Sequence, residues 1–169
     1  MDYIIREARE ADAAGMVAVL NPIIQTGRYT VMAEPVSVAD QRTFIRGFPE
    51  RGIFHVAVTR NGDLVGLQDV MPLSGEPGVF DHVGAISTFV ALDARSQGIG
   101  TRLTNETIEA AKAQGFIKLW ATIRGDNPEA IAFYQSQGFH IIGTAERHAR
   151  VHGTYIDEVF AERFIQPHQ

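Results

Sequence analysis

The sequence predicts an α/β fold, with a mixed, mostly antiparallel central sheet flanked by about four helices. Three features predict it. Short β-branched runs are interspersed with helix-period runs rather than alternating strictly with them. Asn61-Gly62-Asp63 separates two apolar runs and reads as a hairpin. The long apolar run Val83 to Leu92 passes into a helix through a turn holding two glycines, as a central strand would.

Taken in order, Tyr3 to Glu7 reads as a strand, and Asp12 as the cap of a helix whose apolar face holds Met16, Val19 and Leu20. That helix is expected to stop at Pro22, because proline has no N–H to donate. Thr26 to Thr30 reads as a polar and aromatic loop, and Ser37-Val38-Ala39-Asp40 as a capping box opening a second helix. Phe54 to Arg60 and Leu64 to Met71 form the antiparallel pair, and Ser74 to Gly78 forms a loop. Val83 to Leu92 is expected to be buried on both faces at the middle of the sheet. Ile99 to Gln114 reads as a helix ended by Gly115 and Phe116 to Ile123 as a strand. Asn127 to Gln137 is a helix opened by Asn127-Pro128 and closed by Gly138. Phe139 to Thr144 and Tyr155 to Phe164 are the last strands, with His152-Gly153 as the turn between them.

At 169 residues and 45% apolar composition, residues 1–169 are expected to form a single domain around one core. No apolar run reaches the length of a membrane span, and Met1 to Glu10 has no continuous apolar region of a signal peptide. Neither membrane nor secretion is expected. The chain has no cysteine, which excludes disulfides, thiolate-bound zinc and a thiol acyl carrier, and fits a cytoplasmic location. A net charge of −5 and a pI near 5.6 offer no general attraction to nucleic acid; a small or cationic partner fits better.

The chemically informative stretch is Arg95-Ser96-Gln97-Gly98-Ile99-Gly100-Thr101, between the central strand and the following helix. The first turn of a helix has unpaired N–H donors and the positive end of the peptide dipole, so a phosphate is stable there. Gly98 and Gly100 are expected to admit the phosphate closely, and Arg95 to add a charge-assisted contact. A tight connection alone would explain the same turn. Leu103 stands where a dinucleotide fingerprint needs its third glycine, and Gly-Lys-Ser/Thr is absent, so neither standard nucleotide loop is present.

Arg95-Ser96-Gln97-Gly98-Ile99-Gly100 resembles the pyrophosphate loop of the GNAT N-acetyltransferase superfamily. Asn127-Pro128-Glu129-Ala130-Ile131-Ala132-Phe133-Tyr134, continuing to Gly138-Phe139, is similar to that superfamily's second signature. Thr26 to Thr30 with Glu34-Pro35-Val36-Ser37 is similar to its phosphinothricin and L-amino-acid branch. The resemblance implies a sheet splayed between the fourth and fifth strands to admit acetyl-CoA as cosubstrate, with no metal. It implies that Phe89 and Val90 pair with the pantetheine arm and that Arg95 and the amides from Gln97 to Thr101, with Ser96 and Ile99 among them, hold the pyrophosphate. Asn127 would contact the cofactor arm, and Tyr134 would stand beside its sulfur. A core place beside Phe133 and Phe139 is the other reading of Tyr134, and capping alone is the other reading of Asn127.

The branch usually has a glutamate where this chain has Ala85, so the general base must come from elsewhere. His82 is the first candidate because an imidazole titrates in the right range, with Asp81, Glu34 and Tyr29 behind it. Arg28 and Tyr29 are expected to recognise the substrate, Arg28 through a carboxylate. His148, Arg150 and His152 read as a solvated surface rather than a metal site, and Trp120 as core. The expected activity is direct acetyl transfer to a primary amine, first of an amino acid or amino-acid-like small molecule. A polyamine or protein acceptor, or a non-catalytic acyl-CoA sensor suggested by Ala85, are the rivals. The resemblance also implies a homodimer.

Overall fold

The computed structural model describes residues 2–167. Seven strands form one sheet among the described residues: β1 Tyr3–Glu7, β2 Ile53–Thr59, β3 Leu64–Pro72, β4 Val83–Val90, β5 Lys118–Arg124, β6 His140–Val151 and β7 Thr154–Phe164. Their order is β1-β2-β3-β4-β5-β7-β6, and every pairing is antiparallel except β4 with β5. Four α-helices cover the sheet: α1 Ala13–Gln25, α2 Val38–Arg46, α3 Ile99–Ala113 and α4 Pro128–Ser136.

Alternation along β2 and β3 sets the layers, because successive side chains point to opposite faces. Phe54, Val56 and Leu67 pack with Met16, Leu20 and Ile23 of α1. Ala57, one residue on from Val56, packs with Ile99 and Leu103 of α3, and so does Val65, the extra residue where the register shifts between Gly66 and Leu64. Phe116, fully buried after α3, joins Val70, Ile86, Leu119 and Tyr134 in a second part of that core. The sheet is therefore a central layer between α1 with α2 and α3 with α4.

Several expected boundaries moved. Helix α1 continues through Pro22 to Gln25, since Ile23 and Ile24 are buried and hold the last turn, which Thr26 closes by donating its hydroxyl to the Ile23 carbonyl at 2.6 Å. Asp12 does not cap α1. Its carboxylate accepts from the Arg9 N–H at 2.7 Å and from the Arg6 guanidinium, bracing a 3₁₀ turn at Glu10–Asp12 instead. Ser37 caps α2 as expected, accepting from the Asp40 N–H at 3.0 Å. Strand β6 runs to Val151 rather than Thr144: a register irregularity between Ala145 and Ala149 carries the chain through, with Arg147 at φ 50 donating its N–H to Asp157 at 2.7 Å.

Strand β4 ends at Val90 and is not buried on both faces, because its neighbour leaves it. It pairs with β5 only from Val83 to Ala85, opposite Lys118 to Trp120. Beyond Ala85, β4 keeps β3 on one side, up to the pairing of Val90 with Gly66, while β5 follows β7 to Arg124. The sheet is splayed between its fourth and fifth strands, and the gap positions everything that follows.

Candidate active site

Two cavities meet in the splay. The first, about 390 Å³, lies between the end of β4, the following loop, the start of α3 and α4. The second, about 670 Å³, lies under the loop joining α1 to α2, on the face of β3 and β4 that carries Leu67, Asp69, Met71 and Phe89. Tyr29, Thr88, Phe89, Ala130 and Tyr134 line both, so they mark the passage between them.

The first cavity gathers most of the residues expected to hold a phosphorylated cofactor: Phe89, Val90, Arg95, Ser96, Gly98, Ile99, Gly100, Thr101 and Asn127 are in its lining. Gln97 is exposed in the same loop and lies outside that lining. The loop turns through two left-handed residues, Ser96 at φ 61 and Gly98 at φ 76. Such a conformation leaves successive N–H groups facing outward at the start of α3. The two glycines differ in their reasons. A Cβ at Gly98 would meet nothing within 4 Å, so glycine serves the positive φ there. A Cβ at Gly100 would lie 2.9 Å from the Phe133 ring, so this glycine lets α3 approach α4 rather than admitting a phosphate.

Arg95 lies across this cavity. Its guanidinium sits 4.1 Å from the centre of the Tyr29 ring, its Nε donates to the Val90 carbonyl at 3.5 Å, and Nη1 is 3.7 Å from Glu129. Asn127 caps α4, accepting from the Ala130 N–H at 3.1 Å, and donates to the Tyr29 carbonyl at 3.4 Å. Capping thus accounts for one end of its amide, and the cavity lies beside the other.

Tyr134 is buried, and burial pushes its hydroxyl up to about 12, so it keeps its proton. A chain of partners leads to its hydrogen bond. Thr104 donates its hydroxyl to the Gly100 carbonyl at 2.8 Å, so its oxygen can only accept from Gln68 Nε2 at 2.9 Å. The second Nε2 hydrogen goes to Thr88 Oγ1, also at 2.9 Å. The Thr88 hydrogen is thereby available to Tyr134 Oη, 3.0 Å away, and either hydroxyl can be the donor of that bond. With Thr88 as the donor, the Tyr134 proton points into the passage. This polarity also leaves Gln68 Oε1 buried without a partner among the described residues, since turning the amide over would set oxygen against the Thr104 acceptor.

Asp69 is a candidate functional residue that the sequence reading did not include. It sits on β3 opposite Ser87, lines the second cavity, is 8% exposed, and accepts no hydrogen bond from a described residue. Burial alone pushes its carboxyl up to about 7. The signal available in the sequence was the polar pair Gln68-Asp69 inside an otherwise apolar strand, where buried polar groups need a reason. Ala85 is the last β4 residue paired with β5, at the apex of the splay; Asp69 brings a carboxylate from the adjoining strand, opposite a position two residues nearer the open end.

The other candidates lie elsewhere. His82 and Asp81 are exposed before β4, at the closed end of the splay, and neither is in the lining of either cavity; the His82 carbonyl accepts from the N–H groups of Ile117 and Lys118. Glu34 and Arg28 are exposed and outside both linings, with the Arg28 guanidinium 5.8 Å from the Tyr29 ring. Tyr29 is in both. Trp120 is half-buried and stacks on Phe160 rather than sitting in the core. His148 and His152 are exposed, and no group of three or more His, Asp or Glu among the described residues could hold a metal ion.

Residues 24–139 match the model of the acetyltransferase (GNAT) family. The chain is 28% identical to the L-methionine sulfoximine/L-methionine sulfone acetyltransferase of Pseudomonas paraeruginosa, covering 99% of this chain and 97% of that one. It superposes with TM-score 0.86 on a ribosomal-protein-alanine N-acetyltransferase from Brucella melitensis, 28% identical, over 95% of this chain and 99% of that one. A phosphinothricin acetyltransferase from Sinorhizobium meliloti, solved with acetyl-CoA, superposes with TM-score 0.88 at 24% identity, over 97% of this chain and 89% of that one.

Proposed function

Given that the chain belongs to the acetyltransferase (GNAT) family, we propose that it is an acetyl-CoA-dependent N-acetyltransferase that moves the acetyl group directly to a primary amine. The observation that carries this reading is the splay of β4 from β5, with Tyr134 at the junction of two cavities and Asp69 in the lining of the second. The cradle fits acetyl-CoA. Ser87 to Val90 of β4 have no strand on their open side, the left-handed loop and the start of α3 suit a pyrophosphate, and Arg95 can turn from Tyr29 toward it. Acetyl-CoA supplies an activated thioester carbonyl.

Asp69 takes the proton of the attacking amine as the new carbon–nitrogen bond forms, a role that suits a carboxylate titrating near neutral pH. Tyr134 gives its hydrogen to the sulfur as the carbon–sulfur bond breaks, and its high affinity for protons restores it from solvent or from Asp69. Thr88 and Gln68 aim that hydrogen. The base role expected of His82 passes to Asp69, since His82 lies outside the lining. Arg95, Ser96, Gln97, Gly98, Ile99, Gly100, Thr101, Phe89, Val90 and Asn127 remain the proposed cofactor residues, and Tyr29 contributes to both sites.

The acceptors named for relatives support a small molecule of amino-acid size; the polar groups it carries depend on this chain's own cavity. The reading places a single domain in the cytoplasm; among the described residues no helix is long and apolar enough to cross a membrane. A homodimer is part of the proposal, supported by exposed Ile141, Ile142 and Tyr155 on the last hairpin. Sedimentation velocity checks that point, and a monomer at micromolar concentration would withdraw it.

The test is thiol release from acetyl-CoA with a panel of amino acids, amines, polyamines and peptides. Turnover on one acceptor class, cut at least about tenfold in Tyr134→Phe, is the expected outcome. Tight acetyl-CoA binding with no release on any acceptor would instead favour a sensor.

A further inference from the structure

Resting on the reading of the second cavity as the acceptor's, we propose that the acceptor is a primary amine with an apolar body and no carboxylate, an amine such as would remain after decarboxylation of an apolar amino acid. Asp69 is buried, unpartnered among the described residues and in the lining, so it is the group that meets the amine nitrogen. Asp40 and Glu158 line the same cavity. A carboxylate on the acceptor would face three acidic side chains.

His148 approaches Glu158 at 3.9 Å from outside the lining, and among the described lining residues no free cation offsets the group. Arg124 is the only cation among the described lining residues, and four of its five N–H groups are committed: Nε and Nη2 each donate to Asp126 at 2.8 Å, and Nη1 donates to the Gly27 and Thr30 carbonyls at 2.9 Å. It is a clamp that holds the acceptor loop to β5, with only 5% of its side chain exposed. Arg28, the residue expected to meet a substrate carboxylate, lies outside the lining. An α-amino acid bound with its nitrogen at Asp69 cannot put its carboxylate elsewhere, because the two groups share one carbon. Like charges about 4 Å apart beside the buried Asp69 repel more strongly than in bulk water. The rest of the wall is largely apolar, with Met32, Phe44, Phe54, Leu67 and Met71 among it, so an aliphatic or aromatic body is what it covers.

The experiment compares matched pairs, phenethylamine against L-phenylalanine and 3-methylthiopropylamine against L-methionine, with methionine sulfoximine alongside. Both kcat/KM from thiol release and equilibrium binding by calorimetry in the presence of CoA are measured on the intact chain. The expected result is a kcat/KM for each amine at least about 30-fold above that of its amino acid, with the same order in binding. Equal or better use of the amino acids overturns the inference while leaving acetyl transfer standing. Selective binding of the amines without any turnover upholds the inference and overturns the catalytic reading. Binding of neither partner of any pair overturns the inference.

Discussion

In the proposed reaction two side chains on adjacent positions of β3 divide the chemistry. Asp69 lines the second cavity, proposed for the acceptor, and Gln68, one residue back and so on the opposite face, holds the Thr88 hydroxyl that pairs with Tyr134. Removing the Asp69 charge should cost about 10²-fold or more in kcat/KM. The wild-type profile should rise with pH through about 7, where Asp69 loses its proton, and Asp69→Asn should lack that limb. A profile that keeps the limb in the variant would assign the base to another group. Stability moves the other way. The folded protein holds the Asp69 proton more tightly than the unfolded chain does, so stability from this group is greatest near pH 4 and is lost as pH rises toward 7. The loss runs at roughly 1.4 kcal/mol per unit at most, so Asp69→Asn should melt several degrees higher at pH 8 and nearly level at pH 4. A lower melting point at pH 8 would show that the carboxylate has an attractive partner. Gln68→Met removes the Nε2 donor, which frees Thr88 Oγ1 to accept from Tyr134 and draw its hydrogen away from the passage. Its kcat should fall about tenfold with the KM for acetyl-CoA unchanged; a rise in that KM without loss of kcat would mark a packing defect only.

At the scale of elements, the turn from β4 into α3 separates conformation from packing. Gly98→Ala meets no atom but must hold φ 76, which should cost about 1 kcal/mol and loosen acetyl-CoA through the loop amides. Gly100→Ala drives a methyl into Phe133 and should cost about 1–3 kcal/mol in urea unfolding, moving α4 and with it Tyr134. If Gly100→Ala unfolds like wild type, the close approach of the helices is not what that glycine provides. The sequence made both glycines visible but not their separate reasons, since only the packed structure places Phe133 against α3. It likewise showed the hairpin at Asn61-Gly62 and the cap at Ser37, whose signals are local. It did not show that α1 would run through Pro22, because the buried Ile23 and Ile24 that overrule the proline act through tertiary contact.

Over the whole molecule, the site exists because one parallel pairing stops after three residues and the strands on either side keep their antiparallel partners. The cofactor side of this arrangement was legible in two sequence motifs, Arg95 to Gly100 and Asn127 to Tyr134, since both are contiguous. The acceptor side was not. Asp69, Asp40, Phe44 and Glu158 come from three separate elements, β3, α2 and β7, and only the folded chain gathers them. The candidate bases legible in the sequence were therefore His82 and Asp81 before β4 and Glu34 and Tyr29 in the loop after α1, without Asp69. With no cysteine in the chain and the two cavities joined beside Tyr134, the acetyl group has a direct path and no thiol to rest on. Initial rates of thiol release, measured over crossed concentrations of acetyl-CoA and amine, test this most directly. The account predicts intersecting double-reciprocal lines and no thiol release without the amine; parallel lines, or a burst of thiol with acetylated protein before amine is added, would contradict it.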